Sequence, residues 1–92
     1  MKLSDLEIEE KLKNVKNWEL AGGKLRKEFK FDSFERAIKF VNDLAEIASS
    51  LNHHPEIYNS YNKVTLEIST HDEGGITELD FILAKRVDSI SG

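Results

Sequence analysis

The side chains of this chain best suited to exchange protons near neutral pH stand in two short stretches. His53-His54-Pro55 holds two of its three histidines, and Thr70-His71 holds the third. Asp80 follows His71 after eight intervening residues. Imidazole is the side chain whose ordinary titration falls in the physiological range, so both stretches point to proton transfer. Cysteine is absent, which removes a thiolate nucleophile, a Cys-ligated zinc and any disulfide framework. The sequence holds no Ser–His pairing motif, phosphate-binding glycine loop or dinucleotide fingerprint. Proton-transfer groups without a covalent nucleophile suit the elimination or addition of water, or binding without chemistry.

Each of these groups has a structural reading beside the chemical one. His53 and His54 end an apolar-periodic segment and can serve its last carbonyls as C-capping residues. The same helix end favours the protonated imidazole, the state a general acid needs. Zinc is a third reading, and the spacing argues against it: helical zinc pairs sit four apart, whereas adjacent residues diverge by roughly 100°. His71 shares the outward register of Thr65, Glu67 and Ser69. It is either an exposed strand-end histidine or a group presented to a ligand, which the glycines at 74 and 75 would let close to the backbone.

Asp80 stands four after Ile76 and four before Ala84, on a helix face that is otherwise apolar. Three residues after Thr77, it can close a capping box. A carboxylate buried there also needs a partner, and a histidine whose tautomer it fixes would be one. The two roles are compatible. Trp18 and Tyr61 could wall a pocket for a flat heterocycle, or serve in the core and a hairpin.

The elements that must position these residues read as helix, strand, strand, helix, strand, strand, helix. Ser4 and Glu7 form a capping box, Leu3 can staple onto Ile8, and Ile8, Leu12 and Val15 continue one face. Trp18 and Leu20 begin a short strand, Gly22-Gly23 signals a hairpin, and Leu25, Phe29 and Phe31 alternate on the return, with Lys27 the exception. Asp32 and Glu35 open the longest helix. Its apolar stripe is Phe34, Ala37, Ile38, Val41, Leu44, Ala45, Ala48 and Leu51, with Phe40 and Ile47 off it as a second apolar contact, either with the sheet or with another subunit. Pro55 is expected to end this helix. A second hairpin turns within Asn59–Asn62, and Val64, Leu66 and Ile68 point inward on its return. Gly74-Gly75 turns the chain into a last helix with Ile76, Leu79, Leu83, Val87 and Ile90 on its stripe. The expected class is α+β: a single domain over residues 1–92, with a four-stranded antiparallel sheet covered by helices on one face. Its other face must be solvated or shared.

Composition bounds the partners. A chain of 92 residues supports one modest core, which oligomerisation would help. Hydrophobic residues make up 39% and charged residues 33%, so neither disorder nor a membrane span dominates. The net charge of −4, without a basic run, disfavours direct nucleic-acid binding, which is driven by counterion release. The start, Met1-Lys2-Leu3-Ser4-Asp5-Leu6-Glu7, turns acidic at once and lacks a leader's apolar core, so the cytoplasm is the expected location.

The spacing His53-His54-Pro55, five residues, Tyr61, nine residues, His71, eight residues, Asp80 resembles the pattern of the pterin-4a-carbinolamine dehydratase family. Thr70-His71-Asp72-Glu73-Gly74-Gly75-Ile76-Thr77-Glu78-Leu79-Asp80 is similar to that family's Thr-His-x-x-Gly-x-(Leu/Ile)-(Thr/Ser)-x-x-Asp. Trp18 and the Phe29-x-Phe31, Phe34, Ala37, Phe40 stretch are similar too. One departure is Ser49, four before His53, where the family usually carries an acidic or charged residue.

The resemblance implies the same element order, assembled as a homodimer or homotetramer. It also implies dehydration of a 4a-hydroxytetrahydropterin to the quinonoid dihydropterin, in the recycling of tetrahydrobiopterin used by aromatic amino-acid hydroxylases. No cofactor or metal is implied, the pterin being the substrate. In this reading His53 and His71 are the proton-transfer pair, His54 orients the pterin, and Asp80 supports one imidazole. The backbone around His53, His54 and Pro55 and around Thr70, His71, Asp72 and Glu73 reads the polar edge of the ring. Two alternatives stand beside it: a non-catalytic interaction protein, such as a dimerisation partner of a transcription factor, and action on another pterin, such as a molybdopterin-related compound.

Overall fold

The computed structural model describes residues 1–91. Its elements are α1 (Asp5–Leu12), β1 (Glu19–Ala21), β2 (Lys24–Lys30), α2 (Phe34–Leu51), β3 (Glu56–Ser60), β4 (Lys63–Ile68) and α3 (Glu78–Ile90), with a single 3₁₀ turn over His71–Glu73. The strands form one antiparallel sheet in the order β1-β2-β4-β3. The α+β class and the element order are as expected from the sequence.

Local chemistry sets the ends of these elements. The Ser4 hydroxyl accepts from the Glu7 N–H at 3.2 Å and the Glu7 carboxylate accepts from the Ser4 N–H at 2.8 Å, closing the capping box of α1. Gly22 and Gly23, at φ +60° and +77°, make the two-residue turn that pairs Ala21 with Lys24. The cap of α2 is Ser33 rather than Asp32, its hydroxyl accepting from the Arg36 N–H at 3.1 Å. The helix stops at Leu51, four residues before Pro55. Asn52 adopts the left-handed conformation at φ +50° and returns its N–H to the carbonyls of Ala48 and Ser49. The second hairpin turns at Tyr61-Asn62, and the Asn62 amide donates to the Phe31 carbonyl at 2.9 Å.

The core lies between the sheet and the helices. Leu25, Val64, Leu66 and Ile68 are fully buried there against Ile8, Ala37, Leu44, Leu83 and Val87. Phe40 belongs to this core, tilted against Phe29 and Phe31 with ring centroids 4.8 and 4.9 Å apart. Phe34 and Ala45, which the sequence stripe includes, are exposed. The α2 helix is apolar over a wide arc, so its period alone does not decide which line of residues meets the sheet; the three phenylalanine rings do. The outer face of the sheet is charged, with Arg26 between Glu19 and Glu67. Among the described residues no helix is long and apolar enough to cross a membrane.

Candidate active site

The left-handed turn at Asn52 lifts the chain off the end of α2 and sends two neighbouring histidines different ways. The His53 N–H still closes on the Ala48 carbonyl at 3.0 Å, so capping here is the work of the main chain and Asn52, not of imidazoles. The His53 side chain is 10% exposed and turns onto α3, whereas His54 is exposed.

What His53 meets is Asp80, whose side chain has no exposure at all. His53 Nε2 lies 2.5 Å from Asp80 Oδ1. The other carboxylate oxygen, Oδ2, accepts from the Thr77 N–H and from the Thr70 hydroxyl, both at 2.8 Å. The Thr70 and Thr77 hydroxyls are 2.7 Å apart. Asp80 is thus both the N3 acid of the α3 capping box and the partner of a histidine. With both of its oxygens engaged, this buried carboxyl group has the partners that burial demands.

His71 is carried by the loop between β4 and α3. Thr70 and Gly75 bridge this loop, the Thr70 N–H reaching the Gly75 carbonyl at 2.8 Å, and Gly74 at φ +70° closes the 3₁₀ turn. That turn leaves His71, Asp72 and Glu73 exposed. Glu73 lies 3.4 Å from the terminal amine of Met1. His71 and His54 line one cleft of about 280 Å³ together with Lys24, Glu56, Glu67 and Ser69. An adjoining hollow shares Lys24, Ser69 and His71 and is floored by Thr70, Gly22, Gly23, Gly74 and Gly75. The cleft is close to the lower end of small-molecule sites, roughly 300 Å³.

The structure therefore brings the sequence candidates together in two linked groups. His53, Asp80 and Thr70 form a buried hydrogen-bonded cluster, and His54 and His71 face the open cleft beside it. Pro55, half-buried, joins His54 to the edge strand. Trp18 and Tyr61 take no part. Trp18 is in the core, its indole N–H donating to Asp88 Oδ2 at 2.9 Å. Tyr61 sits in the β3–β4 turn, at the opposite end of the hairpin from the histidines. Among the described residues no three His, Cys, Asp or Glu side chains converge as a metal-binding group.

Sequence reasoning missed the polar wall of the cleft. Lys24 bonds Glu56 and lies 3.8 Å from Glu67. The Lys24 ammonium, and after it the Tyr58 hydroxyl, hold the Glu56 carboxyl below its ordinary range. Glu67 and Ser69 could have been found, since they share the outward register of His71; Lys24 could not, because the sheet alone brings it there.

Comparison with known proteins gives this geometry a context. A family sequence model described as Pterin 4 alpha carbinolamine dehydratase matches residues 1–90. Relatives provisionally named pterin-4-alpha-carbinolamine dehydratase include one from Prochlorococcus marinus, 51% identical over 96% of this chain and 92% of its own. One from Sulfurisphaera tokodaii is 46% identical over 97% and 96%. A solved structure described as a transcriptional coactivator/pterin dehydratase from Brucella melitensis superposes with a TM-score of 0.95, at 36% identity and full coverage of both chains. A pterin dehydratase-like protein described as a RuBisCO assembly factor in the alpha-carboxysome superposes at 0.71, with 26% identity over 83% of this chain and 90% of that one. With a match that runs from the first capping box to the last turn of α3, the chain belongs to the pterin-4a-carbinolamine dehydratase family.

Proposed function

We propose that this protein dehydrates 4a-hydroxytetrahydropterins to quinonoid dihydropterins by histidine acid–base chemistry. The observation that carries the reading is the largely buried His53 imidazole held by a fully buried carboxylate, beside a cleft that two further histidines line. Hydroxide is a poor leaving group, so an acid must protonate the departing oxygen while a base takes the N5 proton. The C4a–O bond breaks, the N5 electron pair forms the C4a=N5 bond, and water leaves. His53 and His71 are assigned as the proton-transfer pair, with His54 orienting the ring. Backbone groups around His53–Pro55 and His71–Glu73 are assigned to the polar edge of the pterin, those of Thr70 being used within the loop. No cofactor enters this scheme. It places the protein in tetrahydropterin recycling downstream of an aromatic amino-acid hydroxylase, in the cytoplasm and as a homo-oligomer.

The test is to generate a 4a-hydroxytetrahydropterin in situ with an aromatic amino-acid hydroxylase and follow its decay spectrophotometrically, with and without the protein. Acceleration that disappears when His53, His54 and His71 are all replaced by alanine supports the reading. A folded protein that leaves the decay unchanged overturns it.

The descriptions of the two solved structures favour one second reading, a protein-interaction role of the coactivator or assembly-factor kind. Partner capture that survives loss of all three histidines would mark that role as separate from catalysis.

A further inference from the structure

We infer that the Thr70 and Thr77 hydroxyls are positioning groups, which set the tautomer of His53 through Asp80 and thereby make Nδ1 the nitrogen that exchanges protons. This inference rests on the proposed acid–base function only for its catalytic consequence; its structural part stands on proton accounting.

A carboxylate accepts hydrogen bonds and donates none. Asp80 Oδ2 lies 2.8 Å from both the Thr77 backbone nitrogen and the Thr70 hydroxyl. Thr70 has one hydroxyl proton, and this contact uses it. The 2.7 Å contact between the two hydroxyls must then run from Thr77 to Thr70. The donors line up as Thr77 to Thr70 to Asp80, and Asp80 Oδ1 remains to accept from His53 Nε2 at 2.5 Å. With Nε2 holding that proton, Nδ1 of a neutral His53 carries the lone pair. Nδ1 has no protein partner among the described residues, and no buried side-chain nitrogen or oxygen is left unpaired, so Nδ1 reaches solvent.

Geometry makes the threonines more than bystanders. Asp80 could rotate about its Cβ–Cγ bond and offer His53 either oxygen or none. Two donors fixed on opposite sides of the loop pin Oδ2, and one of them is anchored by the Thr70–Gly75 bridge that also carries His71. One hydrogen-bonded unit therefore orients both members of the proposed proton-transfer pair. The main-chain groups of Thr70 are likewise spent inside the loop, its N–H on Gly75 and its carbonyl on the N–H groups of Glu73 and Gly75. Hydrogen-bond partners that orient a metal-bound histidine cost on the order of tenfold or more in activity when removed, and the same scale is taken for the groups that orient His53 here.

The experiment uses the full chain labelled with ¹⁵N-histidine, comparing wild type, Thr70→Val, Thr77→Val and Thr70→Ser by long-range ¹H–¹⁵N correlation above the titration range of imidazole, alongside dehydratase kinetics. Wild type is expected to show His53 as the Nε2–H tautomer. Thr70→Val and Thr77→Val are expected to give a tautomer mixture and a fall in kcat of about tenfold with KM little changed, and Thr70→Ser to restore both. A wild-type Nδ1–H tautomer overturns the inference, as does an unchanged His53 spectrum in a folded Thr70→Val or Thr77→Val protein. If Thr70→Val fails to fold, Thr77→Val keeps the backbone contact to Asp80 and is read in its place. A tautomer shift in a protein without dehydratase activity would leave this inference standing and remove the proposed function instead.

Discussion

Lys27 lies on the core face of β2 and places its ammonium 2.8 Å from Asp88 Oδ1 on α3, with the Trp18 indole N–H donating to the other oxygen of the same carboxylate at 2.9 Å. The ammonium also stands 4.7 Å over the Phe29 ring. Lys27 is the polar exception in the alternation of β2, and the structure explains it: its methylenes join the core and its head finds a charge at the edge. The Lys27 and Asp88 side chains are 12% and 24% exposed, so most of the charge cost is real but water still screens part of it. Asp88→Ala leaves an ammonium and an indole N–H unpaired together and should cost roughly 2–3 kcal/mol. Lys27→Met keeps the volume and leaves Asp88, the more exposed partner, with the Trp18 indole N–H and water, so it should cost less, about 1–2 kcal/mol. Urea unfolding of both variants decides this. Equal losses would mean that the ion pair itself, not the stranded groups, carries the effect.

The two phenylalanines of α2 should behave oppositely to their places in the sequence stripe. Phe40, 3% exposed and stacked on two rings, should lose about 3–4 kcal/mol on truncation to alanine. Phe34, 44% exposed in the first turn, should lose less than about 1 kcal/mol. Thermal unfolding of the pair measures the difference, and a larger loss for Phe34 would place it in a contact beyond this chain.

That contrast marks how far the sequence could be read. Caps, turns and strand alternation are short-range chemistry, and Ser4, Gly22-Gly23 and Val64-Leu66-Ile68 all sit as their neighbours dictate. The core face of α2 is set by rings on β2 and beyond, which no window along α2 contains. The site divides the same way. Asp80 on an apolar stripe announces a buried partner, and His53 supplies it. The Thr70–Thr77 contact needs the loop to close on itself, and Lys24 reaches the cleft only through the pairing of β2 with β4.

The two glycines after His71 should tolerate substitution unequally. Gly74 is held at φ +70°, where a side chain costs about 1–2 kcal/mol. Gly74→Ala should therefore lower the melting temperature by roughly 5–10 °C in a domain of this size. At Gly75 a new Cβ would come within 2.6 Å of Lys2 Cδ. Lys2 is exposed and flexible and can swing aside, so Gly75→Ala should cost less than about 0.5 kcal/mol. Differential scanning calorimetry separates the two, and an equal cost would show that the loop is closed by something other than backbone conformation.

The Lys24–Glu56 pair at the cleft should be lost at acid pH and stay intact through the neutral range. The Lys24 ammonium chiefly, with the Tyr58 hydroxyl next, lowers the Glu56 carboxyl from its ordinary 4.5. Glu56 in turn raises the Lys24 ammonium above its ordinary 10.5 and the Tyr58 phenol above 10.0. For Glu56 the folded value is the depressed one. Its contribution is therefore present above the unfolded carboxyl value and disappears as pH falls through the lowered folded value. The groups are exposed, so the signature is local rather than a change in overall stability. Carboxyl ¹³C shifts should titrate Glu56 below 4.5 in the wild type and closer to 4.5 in Lys24→Ala. At the alkaline end, Glu56→Gln in a Tyr61→Phe background should bring the Tyr58 phenol back down, followed by its ultraviolet absorbance. An unshifted Glu56 midpoint in Lys24→Ala would break the pair as described.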